Sequence, residues 1–561
     1  MFKNLGILKN SVSKKKIQIN LRDIKSGLNF FEDIIIYKKN NKIKVYDRKC
    51  DHAGGKLITK GLETFCPIHM WKFDPSVGQY NNGIKKKELN YKIIKNFLEI
   101  EDSAYKPKIL NTKKKLKTEI RFFNHAFLKI KGKNFSFCTD PWAIGPAFNT
   151  GWWLKSSTKN DWLDNINNSN FIYISHNHPD HLHPLTLSNV DKELPIIVPN
   201  FISNSTGKYI HELGFKKIIK LDFNVQYQLE NTDLFICLLK SGDFREDSGL
   251  YFSNGEFSAL LNVDSNMLNF DRLPKVNFYA SSFAGGASGY PLMFENYQDN
   301  EKKKIVIKNK NFLKLRNFDN LKKTSAKYFM PYAGFFEEKL SRDKKINKNN
   351  KKNNVGDYLN FCVNNKIKLI NVFENDCNEF LGNKLILEKS IVKKKVNDLK
   401  PEKYLEYYKK EFSKIDEDYI KKYFENSGFE DNLHLYILLT EDNFKLQNIN
   451  YFIDFSKKKI LFRKILKFNE NILKQRSNIK KLVLKIRKES FLNTIYNKLP
   501  WEDLSIGFQC KVMRNPNLYN KDFWHYFTNI YITSKNVREI TNCGSCQNLN
   551  QFLDTQLTEN L

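Results

Sequence analysis

Two Cys and two His near the start of the chain have a spacing that suits a metal centre. Cys50 and His52 form the first pair, and after thirteen further residues Cys66 and His69 form the second. The patterns are C-x-H and then C-x-x-H. Two kinds of centre use such ligands. One is a structural zinc ion with four ligands, and the other is a [2Fe–2S] cluster in which one iron takes two Cys and the other two His.

The order of the ligands favours the Rieske type of [2Fe–2S] cluster over zinc. Each half of the motif holds one Cys and one His, rather than a Cys pair and then a His pair. Gly54 and Gly55 follow the first half and Pro67 lies inside the second, so both halves have the composition of tight turns. A cluster of this type transfers one electron at a time, and the chain is therefore predicted to be a redox protein.

A second group of metal-ligating residue types follows the apolar run Phe171–Ile174. It consists of His176, His178, Asp180 and His181. The pattern H-x-H-x-D-H directly after a strand is typical of the metal loop of the metallo-β-lactamase fold. Imidazole and carboxylate ligands suit zinc or iron, and the loop is predicted to bind a second metal.

The sequence does not complete a two-zinc hydrolase site of that fold. Asp264 is a candidate for its bridging carboxylate, but no His follows either of the later strands where such an enzyme has one. His125, His183 and His211 are each predicted to be structural, and His125 is the best substitute ligand among them. A single Fe(II) held by two His and one carboxylate leaves positions open for O₂. Iron is therefore favoured over zinc.

The elements around these motifs predict a multidomain protein. It combines an all-β Rieske domain, an α/β metallo-β-lactamase-like (αββα) domain and an α+β C-terminal region, which resembles a sterol-carrier-like domain in its strand-helix-strand pattern. The predicted units are the Rieske domain (1–105), the metallo-β-lactamase-like domain (116–340), a polar linker (341–355), a helical segment (356–430) and the C-terminal domain (431–561).

Composition restricts the partners of the chain. Its formal net charge is +32, but few of the basic residues are Arg, and the excess of Lys and Asn is what an AT-rich genome produces. Nucleic-acid binding is therefore not favoured, and the charge is better suited to an anionic substrate or an acidic electron carrier. No apolar run is long enough to predict a membrane span or a signal peptide. The scattered Cys residues predict a cytoplasmic protein.

The two motifs together resemble the CMP-N-acetylneuraminate hydroxylase (monooxygenase) family. The similarity lies in Cys66–Asp74, with its His-x-Trp-Lys run, in Tyr173–Leu182, and in the Gly-rich stretch Phe283–Pro291. It covers about residues 15 to 340. The C-terminal part, including Pro500–Phe508, looks like extensions of related bacterial proteins.

This resemblance implies a monooxygenase that hydroxylates the N-acetyl group of a CMP-sialic acid or similar nucleotide sugar. Electrons would come from a cytochrome b5-like protein or a ferredoxin with its reductase. They would pass through the [2Fe–2S] cluster to a metal at His176, His178, Asp180 and His181, with O₂ as the oxidant. The metal would activate O₂, and the protein would position the metal and the substrate.

The substrate contacts are predicted from residue types alone. Gly285, Gly286 and Gly289 either form a simple turn or let backbone N–H groups approach a phosphate or sugar. The nearest cations for a phosphate or carboxylate are Arg245, Arg272 and Lys275. The Cys543 and Cys546 pair near the C-terminus forms a C-x-x-C motif whose role stays open.

Two other functions remain possible from the sequence. One is a metal-dependent hydrolase of the metallo-β-lactamase fold with an appended Rieske electron-transfer domain. The other is a non-catalytic electron-transfer protein. The missing downstream His residues argue against the first, and the intact H-x-H-x-D-H loop argues against the second.

Overall fold

The structure is a computed structural model that describes most of the chain between residues 5 and 529. The described residues are 5–9, 17–31, 34–48, 50, 57–61, 63–66, 71–81, 85–100, 109, 112–201, 203–241, 246–265, 268, 275–396, 399–475 and 477–529. Within these ranges, no helix has both the length and the apolar character needed to cross a membrane.

The N-terminal region forms three small antiparallel sheets, ordered β10-β11-β2, β3-β4-β5 and β6-β7-β8-β9. Ile34 and Ile36 pack into one apolar cluster and Ile35 into another, so this run is apolar throughout because both faces of its strand are buried. Its elements are β1 (Ile7–Lys9), β2 (Ile17–Asn20), a 3-10 turn (Leu21–Asp23), β3 (Gly27–Phe30), β4 (Ile34–Lys39), β5 (Lys42–Asp47), β6 (Ile58–Lys60), β7 (Glu63–Phe65), β8 (Lys72–Asp74), β9 (Gln79–Tyr80), β10 (Tyr91–Ile94) and β11 (Phe97–Ile100).

The middle region alternates strands and helices. Its strands are β12 (Lys117–Asn124), β13 (Phe127–Lys131), β14 (Ser136–Thr139), β15 (Trp153–Leu154), β16 (Phe171–Tyr173), β17 (Ile196–Pro199), β18 (Ile218–Leu221), β19 (Gln226–Leu229), β20 (Leu234–Lys240), β21 (Ser248–Asn254), β22 (Phe257–Leu261), β23 (Phe278–Ser282), β24 (Tyr328–Tyr332), β25 (Phe336–Glu337), β26 (Lys368–Leu369), β27 (Cys377–Leu381) and β28 (Lys384–Lys389). Its helices are α1 (Trp162–Asn167), α2 (Pro184–Ser188), α3 (Ser205–Glu212), α4 (Asp299–Thr324), α5 (Lys344–Asn349) and α6 (Leu359–Asn364), with 3-10 turns at Ser341–Asp343 and Val355–Tyr358.

Two eight-stranded sheets form the centre of the molecule. Their orders are β1-β19-β20-β21-β22-β23-β24-β26 and β18-β17-β16-β14-β13-β12-β27-β28. One large apolar core takes side chains from both, such as Phe137 and Phe252. Helices α1 to α3 cover the outer face of the second sheet, and α4 packs on the first through Leu321. This is the αββα layering that the sequence predicts.

The first strand of the chain does not join the N-terminal sheets. Residues of β1 pair antiparallel with β19, from Ile7 opposite Leu229 to Lys9 opposite Tyr227. The strand therefore lies at the edge of a central sheet. The N-terminal sheets follow β1 in the chain and precede β12.

The structure differs from the sequence prediction between residues 341 and 389. The segment predicted as a polar linker (341–355) contains α5 and two 3-10 turns, and Asp343 within it is buried beside Arg487. The segment predicted as helical (356–430) includes β26, β27 and β28, which extend the two central sheets. Buried polar side chains contributed to both differences, since Asp343 pairs with Arg487 and Glu379 of β27 pairs with Lys117.

The C-terminal region is a mixed sheet with helices around one core. The sheet order is β31-β30-β29-β32-β33. Its elements are α7 (Pro401–Glu411), α8 (Glu417–Glu425), β29 (Leu433–Thr440), β30 (Leu446–Asp454), β31 (Leu461–Ile465), α9 (Asn471–Lys474), β32 (Lys480–Arg487), α10 (Lys488–Tyr496), α11 (Glu502–Ile506), β33 (Cys510–Asn515) and α12 (Lys521–Thr528). The predicted multidomain fold class, with an all-β, an α/β and an α+β part, is confirmed.

The C-terminal region packs directly on the two central eight-stranded sheets and their helices, which together form the sandwich. Trp152 donates its Nε1–H to the carbonyl of Ile506 at 3.2 Å, and its ring stacks on Phe336 with ring centroids 3.6 Å apart. Gly151 and Gly507 approach so closely that a Cβ on Gly151 would lie 2.1 Å from the Gly507 carbonyl oxygen. The carboxyl end of α11 is thereby held against the segment that contains Gly151 and Trp152.

Candidate metal centre and substrate cavity

The predicted metal loop leaves the end of β16, a strand with parallel neighbours on both sides. Ligand sites of α/β sheets lie at this carboxyl edge. His176, Asp180 and His181 are buried, and His178 is half-buried. The structure brings all four together with three further residues, His125, Asp247 and Asp264.

The first group of ligand atoms comes from His176, His178 and Asp247. Their ligand atoms lie within 4.8 Å of one another. His176 Nε2 is 2.9 Å from His178 Nδ1 and 3.9 Å from Asp247 Oδ1. Two imidazoles and one carboxylate that converge in this way can hold one metal ion.

The second group comes from His125, Asp180 and His181. Asp180 Oδ2 lies 3.1 Å from His125 Nε2 and 3.3 Å from His181 Nε2. His125 occupies the turn between β12 and β13, upstream of the loop. The structure thus places the substitute ligand predicted from the sequence beside the loop.

Asp264 lies between the two groups. Its ligand atom forms a third set with His176, from the first group, and His181, from the second. Asp264 Oδ2 is 3.8 Å from His181 Nε2. From this position a carboxylate could bridge two metal ions, which is the role that the sequence predicts for Asp264.

Hydrogen bonds behind the ligands orient their rings. Ser175 Oγ lies 2.9 Å from His176 Nδ1, and Asp140 Oδ2 lies 3.1 Å from His181 Nδ1. Each contact occupies one ring nitrogen and leaves Nε2 directed at the other ligands. Asp140 also accepts both the backbone N–H and the hydroxyl of Ser175, at 2.7 and 2.8 Å.

The electrostatics of the centre favour a bound cation. Burial lowers the pKa of His178, but the hydrogen bond and charge of Glu502, with Asp247, outweigh it and raise that pKa to about 9. Burial also opposes the charge on Asp180, yet His181 and His125 hold its pKa well below its usual range. The Asp180 carboxylate therefore stays ionised and attracts positive charge.

The residues present fit a metal. Asp180 Oδ1 and His181 Nε2 are buried and have no hydrogen-bond partner in the described part of the chain, and buried polar atoms rarely stay unpaired. A metal ion would satisfy both. The donors are imidazole nitrogens and carboxylate oxygens, which suit iron or zinc.

Backbone strain is concentrated at this site. His125, Asp140, Val263 and Ala333 have φ angles of 42°, 39°, 54° and 51°, a region that residues with a Cβ seldom adopt. The N–H of Ala333 donates to the carbonyl of His125 at 2.9 Å. The surrounding structure thus holds the ligands and their supports in a fixed geometry.

One ligand, Asp247, was missed from the sequence. It lies just before β21, after the strand where a hydrolase of this fold would have a third His. A search for His alone does not detect a carboxylate in that position. The inference that a two-metal site is short of ligands overlooked this residue, and Asp247 and His125 complete two three-residue groups that could each hold a metal ion.

A cavity of about 430 Å³ opens over the metal centre. The sandwich and the C-terminal region both line it, so the site lies between two domains. The lining residues are His125, Phe148, Trp152, His178, Asp180, Asp247, Asp264, Ser282, Ala284, Gly285, Ala287, Ser288, Tyr290, Phe294, Asn309, Leu313, Ala333, Phe336, Glu502, Ser505, Ile506, Arg514, Tyr519 and Trp524.

The C-terminal region reaches the metal loop through Glu502. Its Oε2 lies 3.5 Å from His178 Nε2, while Tyr519 donates its hydroxyl to Glu502 Oε1 at 3.1 Å. Glu502 therefore supports the ring of a ligand from outside the sandwich. The role of the Pro500–Phe508 stretch, open from the sequence, is to close this side of the cavity.

The predicted substrate contacts are only partly brought to the cavity. Of the three glycines only Gly285 lines it. A Cβ on Gly286 would lie 2.5 Å from Asn350 Oδ1, and one on Gly289 would lie 2.3 Å from the Ser505 carbonyl oxygen. These two serve close packing, Gly289 against the C-terminal region.

Of the three predicted cations, the one that lies within the described residues, Lys275, does not line the cavity. Lys275 is exposed and precedes β23, whereas Ser282 at the carboxyl end of that strand lines the cavity. Lys275 is at the opposite end, so this prediction was wrong. Arg245 and Arg272 lie outside the described residues, as do Cys543 and Cys546.

The Rieske motif is described in part. Cys50 follows β5 and Cys66 follows β7, and both are buried in one apolar cluster with Trp71, Tyr46 and other residues. The N–H of Cys66 donates to the carbonyl of Trp71 at 2.9 Å. His52 and His69 lie outside the described residues.

Comparison with known proteins finds similarity both in the N-terminal region and along most of the chain. The family model for the Rieske [2Fe-2S] domain matches residues 14–94. The cytidine monophosphate-N-acetylneuraminic acid hydroxylase of Macaca mulatta is 27% identical, over 94% of this chain and 95% of that protein. The same-named protein of Xenopus laevis is 28% identical, over 90% of each.

Solved structures match at low similarity. Isothiocyanate hydrolase from Delia radicum gut bacteria is 12% identical with a TM-score of 0.32, over 47% of this chain and 98% of that one. CmlA, a diiron β-hydroxylase from Streptomyces venezuelae, is 16% identical with a TM-score of 0.28, over 40% and 45%. The resemblance predicted from the motifs is confirmed by the sequence comparison, in which the chain is similar to the cytidine monophosphate-N-acetylneuraminic acid hydroxylases over about nine-tenths of both lengths.

Proposed function

We propose that this chain is a Rieske-dependent monooxygenase that hydroxylates the N-acetyl group of CMP-N-acetylneuraminate or a similar nucleotide sugar. The observation that carries the proposal is a two-group metal centre at the base of a cavity, in a chain with an N-terminal Rieske domain. The reaction consumes O₂, two electrons and two protons. One oxygen atom enters a C–H bond to give the hydroxymethyl group, and the other leaves as water.

The residues of the chain hold and orient the reacting groups. His176, His178 and Asp247 would bind one metal, and His125, Asp180 and His181 a second, with Asp264 between them. Iron is favoured over zinc because the reaction requires electrons at the metal. The bound metal would supply O₂ activation, while the cavity walls position the substrate and limit the access of water.

The electrons would enter through the Rieske cluster. Cys50, His52, Cys66 and His69 are the proposed ligands of that cluster. The donor would be a cytochrome b5-like protein or a ferredoxin with its reductase, for which the basic surface of the chain is suited. The Rieske domain accepts one electron at a time and would deliver two per turnover.

The metal geometry also supports a second candidate, a metal-dependent hydrolase with an appended Rieske domain. The sequence argued against it because His ligands were missing, but Asp247 and His125 converge with residues of the loop and support it as further candidate ligands. The two functions differ in the metal and in the need for O₂. A direct measurement therefore separates them.

The test combines metal analysis, EPR and product analysis on protein purified without O₂. A monooxygenase should contain iron beyond the two atoms of the cluster, give a rhombic signal when reduced, and incorporate one atom of ¹⁸O from labelled O₂ into CMP-N-acetylneuraminate. Stoichiometric zinc with O₂-independent cleavage would instead establish the hydrolase. Cluster iron with no other metal and no turnover would leave an electron-transfer protein.

A pair of His variants localises the chemistry. His176→Ala should abolish turnover and lower the iron content while the reduced Rieske signal is kept, because His176 belongs to two of the three ligand sets. His211→Ala is the matched control, since His211 is exposed on α3. Unchanged product formation by His176→Ala would contradict the proposed centre.

A further inference from the structure

We propose that Arg514, on β33 of the C-terminal region, is the anion-binding residue of the cavity and contacts phosphate or carboxylate oxygens of the substrate. The inference rests on the proposed function, because it takes the substrate to be an anionic nucleotide sugar. It identifies a recognition residue in a region whose role the sequence leaves open.

Arg514 is fixed in place at the cavity wall. Only 4% of its surface is exposed, yet it lines the same cavity as Asp180 and Asp264. Its Nε donates to Asn517 Oδ1 at 2.9 Å, and its guanidinium lies 5.0 Å from the centre of the Phe294 ring. Asn296 holds the backbone on both sides, accepting from the Arg514 N–H and donating to its carbonyl.

The positive charge of Arg514 has no carboxylate within ion-pair distance among the described residues. Three other buried arginines all have such a partner, namely Arg121 with Asp161, Arg342 with Asp442 and Arg487 with Asp343. A buried cation without a partner is costly, and an anionic ligand would remove that cost.

The distribution of charge over the cavity points the same way. The metal end is lined by four carboxylates, Asp180, Asp247, Asp264 and Glu502, and Arg514 is the single Lys or Arg among the described residues that line the cavity. An anionic substrate would be repelled from the metal end unless metal is bound. Its anionic group is best placed at Arg514.

The side chain has donors left for recognition. With Nε engaged by Asn517, the two Nη nitrogens have no acceptor among the described residues. A guanidinium offers these donors in a planar fork that matches two oxygens of a phosphate or a carboxylate. Tyr290, Tyr519 and Trp524 also line the cavity and give flat aromatic surfaces for a base or sugar.

The experiment measures binding without turnover. Holoenzyme, without reductant and O₂, is titrated calorimetrically with CMP-N-acetylneuraminate, CMP, N-acetylneuraminate, cytidine and inorganic phosphate. Arg514→Gln should weaken binding of CMP-N-acetylneuraminate by about 10- to 100-fold, the range for a lost hydrogen bond to a charged group, and leave cytidine unchanged. Arg514→Lys should restore part of the affinity, because it returns the charge without the fork.

A control variant tests whether an affinity loss is specific to Arg514, and the separate titrations identify the group that Arg514 contacts. Arg463→Gln, at an exposed position on β31, should bind as the wild type does, and metal content with the reduced Rieske signal reports folding of every variant. If Arg514→Gln loses affinity for CMP, Arg514 contacts the phosphate. If it loses affinity for N-acetylneuraminate, Arg514 contacts the carboxylate.

Failure of this inference differs from failure of the proposed function. If the wild type and a folded Arg514→Gln bind CMP-N-acetylneuraminate equally, the role of Arg514 is overturned and the proposed substrate stands. If the wild type does not bind that compound but binds inorganic phosphate in an Arg514-dependent way, the substrate is wrong and the anion site stands. If the wild type binds neither, both are overturned.

Discussion

The side chains that hydrogen-bond to the proposed metal ligands affect how tightly the centre binds a metal ion. Asp140 adopts a positive φ at the end of β14 and contacts both Ser175 and the ring of His181. It is itself almost completely buried. A carboxylate in this place fixes the tautomer of His181 and strengthens that ring as a ligand.

Asp140→Asn should lower the affinity for the second metal by about 10- to 100-fold, the usual effect of removing a partner of a ligating His. The amide keeps the size but loses the charge, so Nδ1–H of His181 is held less firmly. Metal titration of chelator-stripped protein checks this. Asp233→Asn, which removes a surface charge paired with Lys114, should bind metal normally, and equal affinities in the two variants would contradict the role of Asp140.

At the scale of elements, the segment from Ser341 to Asn349 joins the sandwich to the C-terminal sheet. Asp343 Oδ1 accepts from Arg487 Nη2 at 2.7 Å, and both side chains are nearly inaccessible. Arg487 also donates to the carbonyl of Asp442. This contact orders a run whose sequence looks like a linker.

Asp343→Ala should destabilise the protein by about 3–5 kcal/mol, because it leaves the Arg487 charge buried without its partner. Chemical denaturation followed by circular dichroism measures the change. Asp319→Ala breaks an exposed ion pair with Lys323 on α4 and should cost no more than about 1 kcal/mol. If the two variants lose similar amounts of unfolding free energy, the buried ion pair stabilises the protein no more than an exposed one does.

The sequence predicts the elements whose pattern is local. The strand Phe171–Tyr173 and the loop from His176 to His181 are found where they are predicted, since the apolar run and the ligand spacing are visible along the chain. The strand Cys377–Leu381 is not predicted, because its polar Asn378 and Glu379 are buried, Glu379 in an ion pair with the distant Lys117. Asp247 and Arg514 are missed for the same reason, as only the fold brings them to the cavity.

At the scale of the whole molecule, the cavity exists because two domains meet. Trp152, Phe336 and Phe508 share one apolar cluster across the boundary. Close backbone approach at Gly151 and Gly507 sets the distance between the sandwich and α11. The C-terminal region is therefore part of the site rather than an appendage.

Gly151→Ala should disturb this contact, because the new Cβ would meet backbone atoms of Gly507 that cannot move aside freely. We expect a loss of about 1–3 kcal/mol in stability and a larger fall in turnover than in the Rieske signal. Thermal unfolding and product formation measure the two effects. Gly356→Ala is the control, since a Cβ there meets open space, and an unaffected Gly151→Ala would show that the boundary tolerates displacement.

The pairing of β1 with β19 has a consequence for electron delivery. The strand lies ahead of the N-terminal sheets and belongs to the sandwich, and β12 returns the chain to the sandwich after them. The Rieske domain is thus an insertion attached at both ends, not a module on a single tether. Such attachment keeps a donor near its acceptor at a high effective concentration. Internal reduction of the metal centre should then proceed at a rate independent of enzyme concentration, unlike the reduction of a separate oxygenase by a diffusing ferredoxin.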